Sequence, residues 1–285
     1  MACMLPGHTH RLSPSRLPLL SALVTLGVAA AGTTPAAGQW RGSYCPGPSD
    51  VYGGNDPATP EAEFHMARLM YTDANGRIQG GWRPWWRIDW PEAECHLTRG
   101  LKRLTRLDVA DDSFHARAID ERLFDFPWLF AQQVGHWYLS PPEADRLREY
   151  LLRGGFLVVD DFHGLYEWQY FTESIQRVLP GRAIVDIPES DPLLHILYDL
   201  DQRTQIPGRR HLYRASSGEI VAELPGGPPR WRGIYDDAGR LMVAINFNMD
   251  MGDAWEHADD PVYPEPMTAL AYRFGINYII YAMTH

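Results

Sequence analysis

Cysteine is scarce in this chain. The 285 residues hold only Cys3, Cys45 and Cys95, so at most one bridge can form within it. Positive charge is scarce as well: 26 Lys and Arg face 36 Asp and Glu, a formal net charge of -10. An acidic surface repels phosphate backbones and anionic lipid, which argues against nucleic acid as a partner and against docking on a membrane surface. Long apolar runs are missing too. The run Leu17 to Ala31 stops short of the roughly 20 residues that cross a bilayer. There is no internal repeat and no low-complexity tract.

What is there reads first as an address. Arg11 and Arg16 precede the apolar run, and Ala36-Ala37-Gly38 follows it, before Gln39 and Trp40. A basic start, an apolar middle and a small-residue exit make a secretory signal over residues 1–38, cleaved on export or else kept as an N-terminal anchor. The two arginines are not adjacent, which argues against a twin-arginine signal. No cysteine stands directly behind the run, which argues against a lipoprotein. The expected location is periplasmic or extracellular, with no membrane contact beyond the signal. Cys3 would leave with it. Cys45 and Cys95 could then oxidise and tie an N-terminal arm to the domain, or remain two separate thiols.

Hydrophobic residues make up 45% of the chain, enough for a packed core. Residues 39–63, rich in Gly, Pro, Ser and Asp, read as a surface arm, and residues 64–285 as a single domain. Phe64 to Tyr71 reads as a first strand, residues 73–91 as a polar and aromatic loop, and Glu92 to Leu104 as a helix, with Cys95, Leu97, Leu101 and Leu104 at helical spacing. Arg106 to Val109 reads as a short strand. Phe126 to Val134 reads as a buried strand ending in Gly135-His136. Ser140-Pro141-Pro142-Glu143 is a helix start, and Gly154-Gly155 stops the helix Glu143 to Arg153. Phe156 to Asp160 is a continuous apolar strand of the kind found in parallel sheets covered on both faces. Glu167 to Leu179 reads as a helix, Ala183 to Asp186 as a short strand, and residues 198–228 as an excursion. Trp231 to Tyr235 and Leu241 to Phe247 read as a hairpin, and Pro264 to Met283 holds the final helix. Strand and helix alternate, which points to an α/β sandwich.

The stretch LSPPEADRLREYLLRGGFLVVDD, Leu139 to Asp161, resembles the class I glutamine amidotransferase-like superfamily, where such a helix and strand lead to the functional turn. The wider chain resembles a narrower bacterial family, the domain of unknown function numbered 4159. The matching pieces are FHMARLMY (64–71), WRIDWPEAECHL (86–97), LFDFPWLF (123–130), GGFLVVDDFHG (154–164), NFNMDMGDAWE (246–256) and GINYIIYAMT (275–284). Together they cover roughly residues 64–284. The resemblance implies a three-layer, flavodoxin-like sandwich with a mainly parallel central sheet, and it carries no settled activity. Catalytic relatives end that strand in a Gly-x-Cys-x-Gly elbow. Here the place reads Val159-Asp160-Asp161-Phe162-His163-Gly164. Without a thiolate the glutaminase reaction is excluded, and no Gly-x-Ser-x-Gly elbow replaces it.

Four constellations carry chemistry. Asp160, Asp161 and His163 would lie at the carboxyl end of a parallel strand, where such sheets bind ligands. They share a site only if the chain turns between the two aspartates, since strand neighbours point to opposite faces. They make a ligand site, a metal site or a general base, or else a solvated turn capping the next helix. The 246–256 segment gathers Asn246, Asn248, Asp250, Asp253 and Glu256 beside Trp255. That set suits a polar ligand such as a sugar, with Trp255 as a stacking face, or Ca²⁺ or Mg²⁺, or an Asx-type loop that satisfies its own backbone. Trp82, Trp85, Trp86, Asp89 and Trp90 form either a carbohydrate or peptide site or a lid with Arg83 and Arg87 stacked between rings. His136 should emerge near Asp160. With His163 and the two aspartates it would suit zinc or manganese, although no His-ligand spacing supports this.

The expected function is therefore an exported envelope protein that binds a small polar ligand or a partner protein. The alternatives are a metal-assisted or carboxylate-dependent hydrolase of an envelope substrate, and a structural component of an envelope complex. A divalent metal is the only cofactor in view.

Overall fold

A computed structural model describes residues 62–73, 76, 84–201, 203–222 and 227–285. The expected signal segment, nearly all of the expected arm, Cys45, Trp82 and Arg83 lie outside the described residues. The elements are β1 (Phe64–Met70), β2 (Thr72–Asp73), α1 (Glu92–Leu104), β3 (Val109–Arg117), β4 (Trp128–Gln132), β5 (Trp137–Tyr138), α2 (Pro141–Leu152), β6 (Phe156–Phe162), α3 (Gly164–Val178), β7 (Val185–Asp186), β8 (Leu212–Arg214), β9 (Ile220–Ala222), β10 (Arg230–Tyr235), β11 (Leu241–Phe247), α4 (Met251–Glu256) and α5 (Glu265–Thr284).

Seven strands form one sheet in the order β3-β1-β4-β6-β11-β10-β7. From β3 to β11 all neighbours are parallel, and β10 runs antiparallel to both β11 and β7. Alternation along β6 shows why the sheet is covered twice. Phe156 and Val158 join one core with residues of α1 and α5. Leu157, Val159 and Phe162 join the other with α2 and α3. Each such side chain, fully buried, contributes about 1.5–3 kcal/mol. The result is a three-layer α/β sandwich, as expected from the order of elements.

Local signals explain the ends. Ser140 and Glu143 form a capping box at the start of α2. At its other end the chain reverses through Gly154, at φ 113, where a side chain would be strained. Cys95 is disulfide-bonded; its expected partner, Cys45, lies outside the described residues.

Four differences from expectation bear on the site or the sheet, beyond shifts of a few residues at the ends of β4, α2 and α3. The strand foreseen at 106–109 begins at Val109 and runs to Arg117. Its sequence, VADDSFHAR, is polar because it lies at the sheet edge. The β6 strand continues through both aspartates to Phe162. Residues 246–256 are not one loop, since α4 occupies Met251–Glu256. The excursion at 198–228 contains the β8–β9 hairpin.

Candidate functional site

The site begins with a bulge. Ile245 pairs with Val159 and Phe247 with Phe162, so Asp160 and Asp161 together face the single residue Asn246. Asp161 takes up the extra length at φ 53. Aspartate tolerates this left-handed conformation better than most residues, and bulges of this kind re-aim side chains. The turn needed for adjacent aspartates to share a rim is therefore present.

Their environments differ. Asp160 is fully buried. Its Oδ2 accepts the Met251 N–H at 2.7 Å and the Gly252 N–H at 3.1 Å. Its Oδ1 is buried without a hydrogen-bond partner. Burial and the Asp161 charge push this carboxyl up to about 8, against the pull of those two N–H groups. The Asn246 amide pulls the same way, without the geometry of a bond to Oδ1. Asp161 is also buried, which raises its pKa. The His163 ring at 3.0 Å, Arg210 and the Gln133 amide outweigh that and hold it below the usual carboxylate range. Arg210 Nη2 stands 3.9 Å from Asp161 Oδ1. Nδ1 of His163 is buried with no partner.

The second acidic segment meets the first. Asp161 N–H donates to Met249 O at 3.2 Å, and Gly164 N–H to Asn248 Oδ1 at 2.9 Å. Asp250 caps α4 by accepting the Asp253 N–H at 2.9 Å. A strap at 205–211 crosses beside it. Asp250 N–H donates to Ile206 O at 2.9 Å, and Arg209 N–H to Asp253 Oδ2 at 2.6 Å. Gly208 lies so close that an added Cβ would stand 2.6 Å from Asp250 Oδ2.

The third approach comes from Asp89, buried and at φ 63. Arg68 sits in the mostly apolar β1 and pairs with buried Glu94. Its Nη1 donates to Trp86 O at 3.0 Å, Ile88 O at 2.9 Å and Gln132 Oε1 at 2.5 Å. Gln132 in turn donates to Asp89. The buried cation thus positions the turn that presents Asp89.

The carboxylates form overlapping sets whose ligand atoms lie within 4.8 Å of one another: Asp161, His163 and Asp250; Asp89, Asp250 and Asp253; Asp253, Glu256 and His257. Burial, then the charges of Asp253, Asp161 and Glu256, push Asp89 well above the carboxylate range. Burial, then Asp161, Asp253 and Asp89, do the same to Asp250. Glu256 rises through burial and Asp253. Negative charge is crowded here faster than the protein's own cations offset it. Chemically, the sets offer hard oxygen ligands and two imidazoles, His163 and His257, donors that fit a divalent cation.

The family described as a domain of unknown function (DUF4159) matches residues 65–283. The chain belongs to that family. Among curated proteins none matches it at a significant level.

Several expected residues of this DUF4159 chain lie elsewhere. Trp255 is fully buried, 5.4 Å from the Phe130 ring and packed on Gly275. It offers no face to a sugar, because α4 turns it into the core. Asn246 accepts the Tyr278 hydroxyl at 2.8 Å, and the Asn248 amide donates to Gly227 O and Pro228 O at 3.2 and 3.1 Å. Both are occupied in tying segments together. Trp90 donates to Ser113 at 3.2 Å beneath the Arg87 guanidinium, 4.6 Å from its ring, so it packs on the domain. His136 stacks on Trp85 at 4.2 Å and pairs with Glu167 at 3.4 Å. Glu167 accepts the His163 N–H at 2.7 Å, so His136 reaches the aspartates only through an intermediary. It belongs to none of the three ligand sets among the described residues, which corrects the expected pairing of both histidines with Asp160 and Asp161. Sequence reading missed Arg68, Gln132, Gln133, Arg210 and His211. The charge inside FHMARLMY was the available signal for Arg68.

Proposed function

We propose that this protein binds a divalent cation, and through it a small polar ligand, at the carboxyl ends of β4, β6 and β11. The observation that carries the reading is the set Asp161, His163 and Asp250, with ligand atoms within 4.8 Å and His163 Nδ1 buried and unpartnered beside them. Buried carboxylates without compensating charge are costly, and a cation supplies what the chain lacks. Asp161, His163 and Asp250 would hold it. Half-exposed His211, 5.5 Å from the His163 ring, and the exposed Arg210, 3.9 Å from Asp161, border this set, where an anionic or hydroxyl-rich ligand would meet them.

Purification without chelator followed by elemental analysis tests this, together with thermal melting across Mg²⁺, Ca²⁺, Mn²⁺ and Zn²⁺. A bound metal, or a rise in Tm with one of these ions, is expected. Neither metal nor any shift would overturn the reading.

We further assign the chain to the class I glutamine amidotransferase-like superfamily. Asp161 supports this. It adopts a left-handed conformation in the bulge near the end of the strand that leads, in those enzymes, to the cysteine. Export to the envelope is the companion proposal. It is supported by the signal pattern and by the oxidised state of Cys95. N-terminal sequencing of protein secreted by a bacterial host tests it; a start near Gln39 is expected, and an intact Met1 would overturn cleavage.

One observation favours a second reading, a cation-assisted hydrolase. Adjacent carboxyls whose environments drive their pKa values apart are the pattern of paired acid and base groups. Asp160 is raised to about 8 and Asp161 is lowered. Hydrolysis of p-nitrophenyl esters or phosphates, declining as pH rises past 8, would support it. No turnover with metal-loaded protein would leave binding alone.

A further inference from the structure

The three ligand sets are linked: Asp250 is common to the two mostly buried ones, and Asp253 to the second and third. Asp250 belongs both with Asp161 and His163 and with Asp89 and Asp253. We infer that the site is binuclear: Asp250 bridges two divalent cations, one held with Asp161 and His163, the other with Asp89 and Asp253. The inference rests on the cation-binding proposal.

Three observations support a pair over a single ion. First, the two sets approach from different parts of the chain. Asp89 arrives on the turn held by Arg68 and Gln132, while Asp161 and His163 arrive on the β6 bulge. Asp250 stands between them at the head of α4. A carboxylate has two oxygens and commonly joins neighbouring cations, as in two-metal sites. Second, three of the four carboxylates are buried, unlike ordinary surface acids: Asp89 is 2% exposed, Asp161 1% and Asp250 3%, while Asp253 is partly exposed. Third, two buried polar atoms beside the cluster are unpartnered. One is His163 Nδ1, on a ring 9% exposed. The other is Oδ1 of Asp160, whose opposite oxygen accepts the N–H of Met251, the residue after Asp250. A native interior rarely leaves such atoms without a partner. The charge balance agrees. Asp89, Asp161, Asp250 and Asp253 carry four negative charges when ionised, which two divalent cations offset and one does not. The third set, Asp253, Glu256 and His257, is partly exposed throughout. Its two carboxylates stand 3.8 and 3.7 Å from His257 Nε2, and we assign it no ion.

The donors are carboxylates with one imidazole, so manganese is the suitable probe. The full chain is freed of metal by dialysis against EDTA. Mn²⁺ is then added in a calorimetric titration, and the loaded protein is examined by electron paramagnetic resonance. The expected result is two ions per chain and a multiline spectrum from coupled Mn²⁺ ions. Asp89→Asn should keep one ion and lose the coupling, with melting behaviour checked in parallel. One ion per chain in the unmodified protein would overturn the binuclear centre and leave the cation proposal standing. No ion would overturn both. Two ions still bound by Asp89→Asn would show that the second lies elsewhere and would also overturn the assignment. The coupled spectrum needs no variant, so the test survives if Asp89→Asn fails to fold.

Discussion

Asp160 Oδ2 accepts the Met251 N–H at 2.7 Å across 91 residues of sequence. This contact joins the end of β6 to the head of α4 and holds one carboxyl where its charge is disfavoured. The pKa of Asp160 in the folded chain is about 8, raised by burial and by Asp161. An unfolded aspartate titrates near 3.9. Between those values the folded state holds a proton that the unfolded state lacks. Its stabilisation is full below pH ~4 and is lost as pH rises through about 8. Asp89 and Asp250, raised by burial and by neighbouring carboxylates, Asp253 and Asp161 among them, act with the same sign. Asp161, lowered, acts oppositely and loses its contribution only in acid. Urea unfolding of metal-free protein at pH 5.5, 6.5 and 7.5 should show stability falling, by at most about 1.4 kcal/mol per pH unit for each such group. Asp160→Asn should flatten the slope, and a slope unchanged by it would refute the assignment.

Gly252 should not accept a side chain. A Cβ there would stand 1.8 Å from Gln132 Nε2 and 2.5 Å from Asp89 Oδ2. Overpacking of this kind costs about 1–3 kcal/mol, and here it would push Asp89 away from Asp250. Gly252→Ala is expected to lower Tm and to weaken Mn²⁺ binding together. Unchanged binding would mean that Asp89 takes no part in holding the ion.

The layers were legible because apolar alternation in β1, β6 and β11 reports directly on burial. The capping box at Ser140 and the glycines after α2 punctuate the chain at short range. The β3 strand was misread because an edge strand carries polar residues. The meeting of Asp160 with the 246–256 segment could be inferred from parallel strands delivering their ends to one rim. What escaped was side-chain direction. Nothing in NFNMDMGDAWE tells that α4 starts at Met251, yet that start turns Trp255 inward and leaves Asp250 at the cap. Nor does spacing tell that Arg210, far along the chain from Asp161, stands 3.9 Å from it.

Arg68 and Glu94 form an ion pair buried on both sides, with side chains 0% and 4% exposed. Removing one member strands the other's charge in the core, which costs about 3–5 kcal/mol. Replacing both by apolar groups of similar size removes that penalty. Arg68→Met should therefore destabilise strongly, and Arg68→Met with Glu94→Leu should recover much of the loss in urea unfolding. The recovered protein should still bind Mn²⁺ more weakly, because Gln132 and the Trp86–Ile88 carbonyls have lost the guanidinium that orients Asp89. Full cation affinity in the double variant would show that the turn carrying Asp89 holds itself.

Asp161 and His136 give opposite expectations although both stand at the rim. Asp161 contributes a buried, ionised carboxylate to the proposed first cation. Asp161→Asn removes that charge, and Mn²⁺ affinity should fall at least tenfold, about 1.4 kcal/mol. The same change removes the second-largest influence raising Asp160, so its titration should move down in pH. His136 pairs with Glu167 at a half-exposed position, where such pairs contribute about 0–1 kcal/mol. His136→Gln should leave both Mn²⁺ affinity and the Asp160 titration unchanged. Equal losses in the two variants would mean that the ion is bound by the 134–136 turn rather than by the β6 bulge.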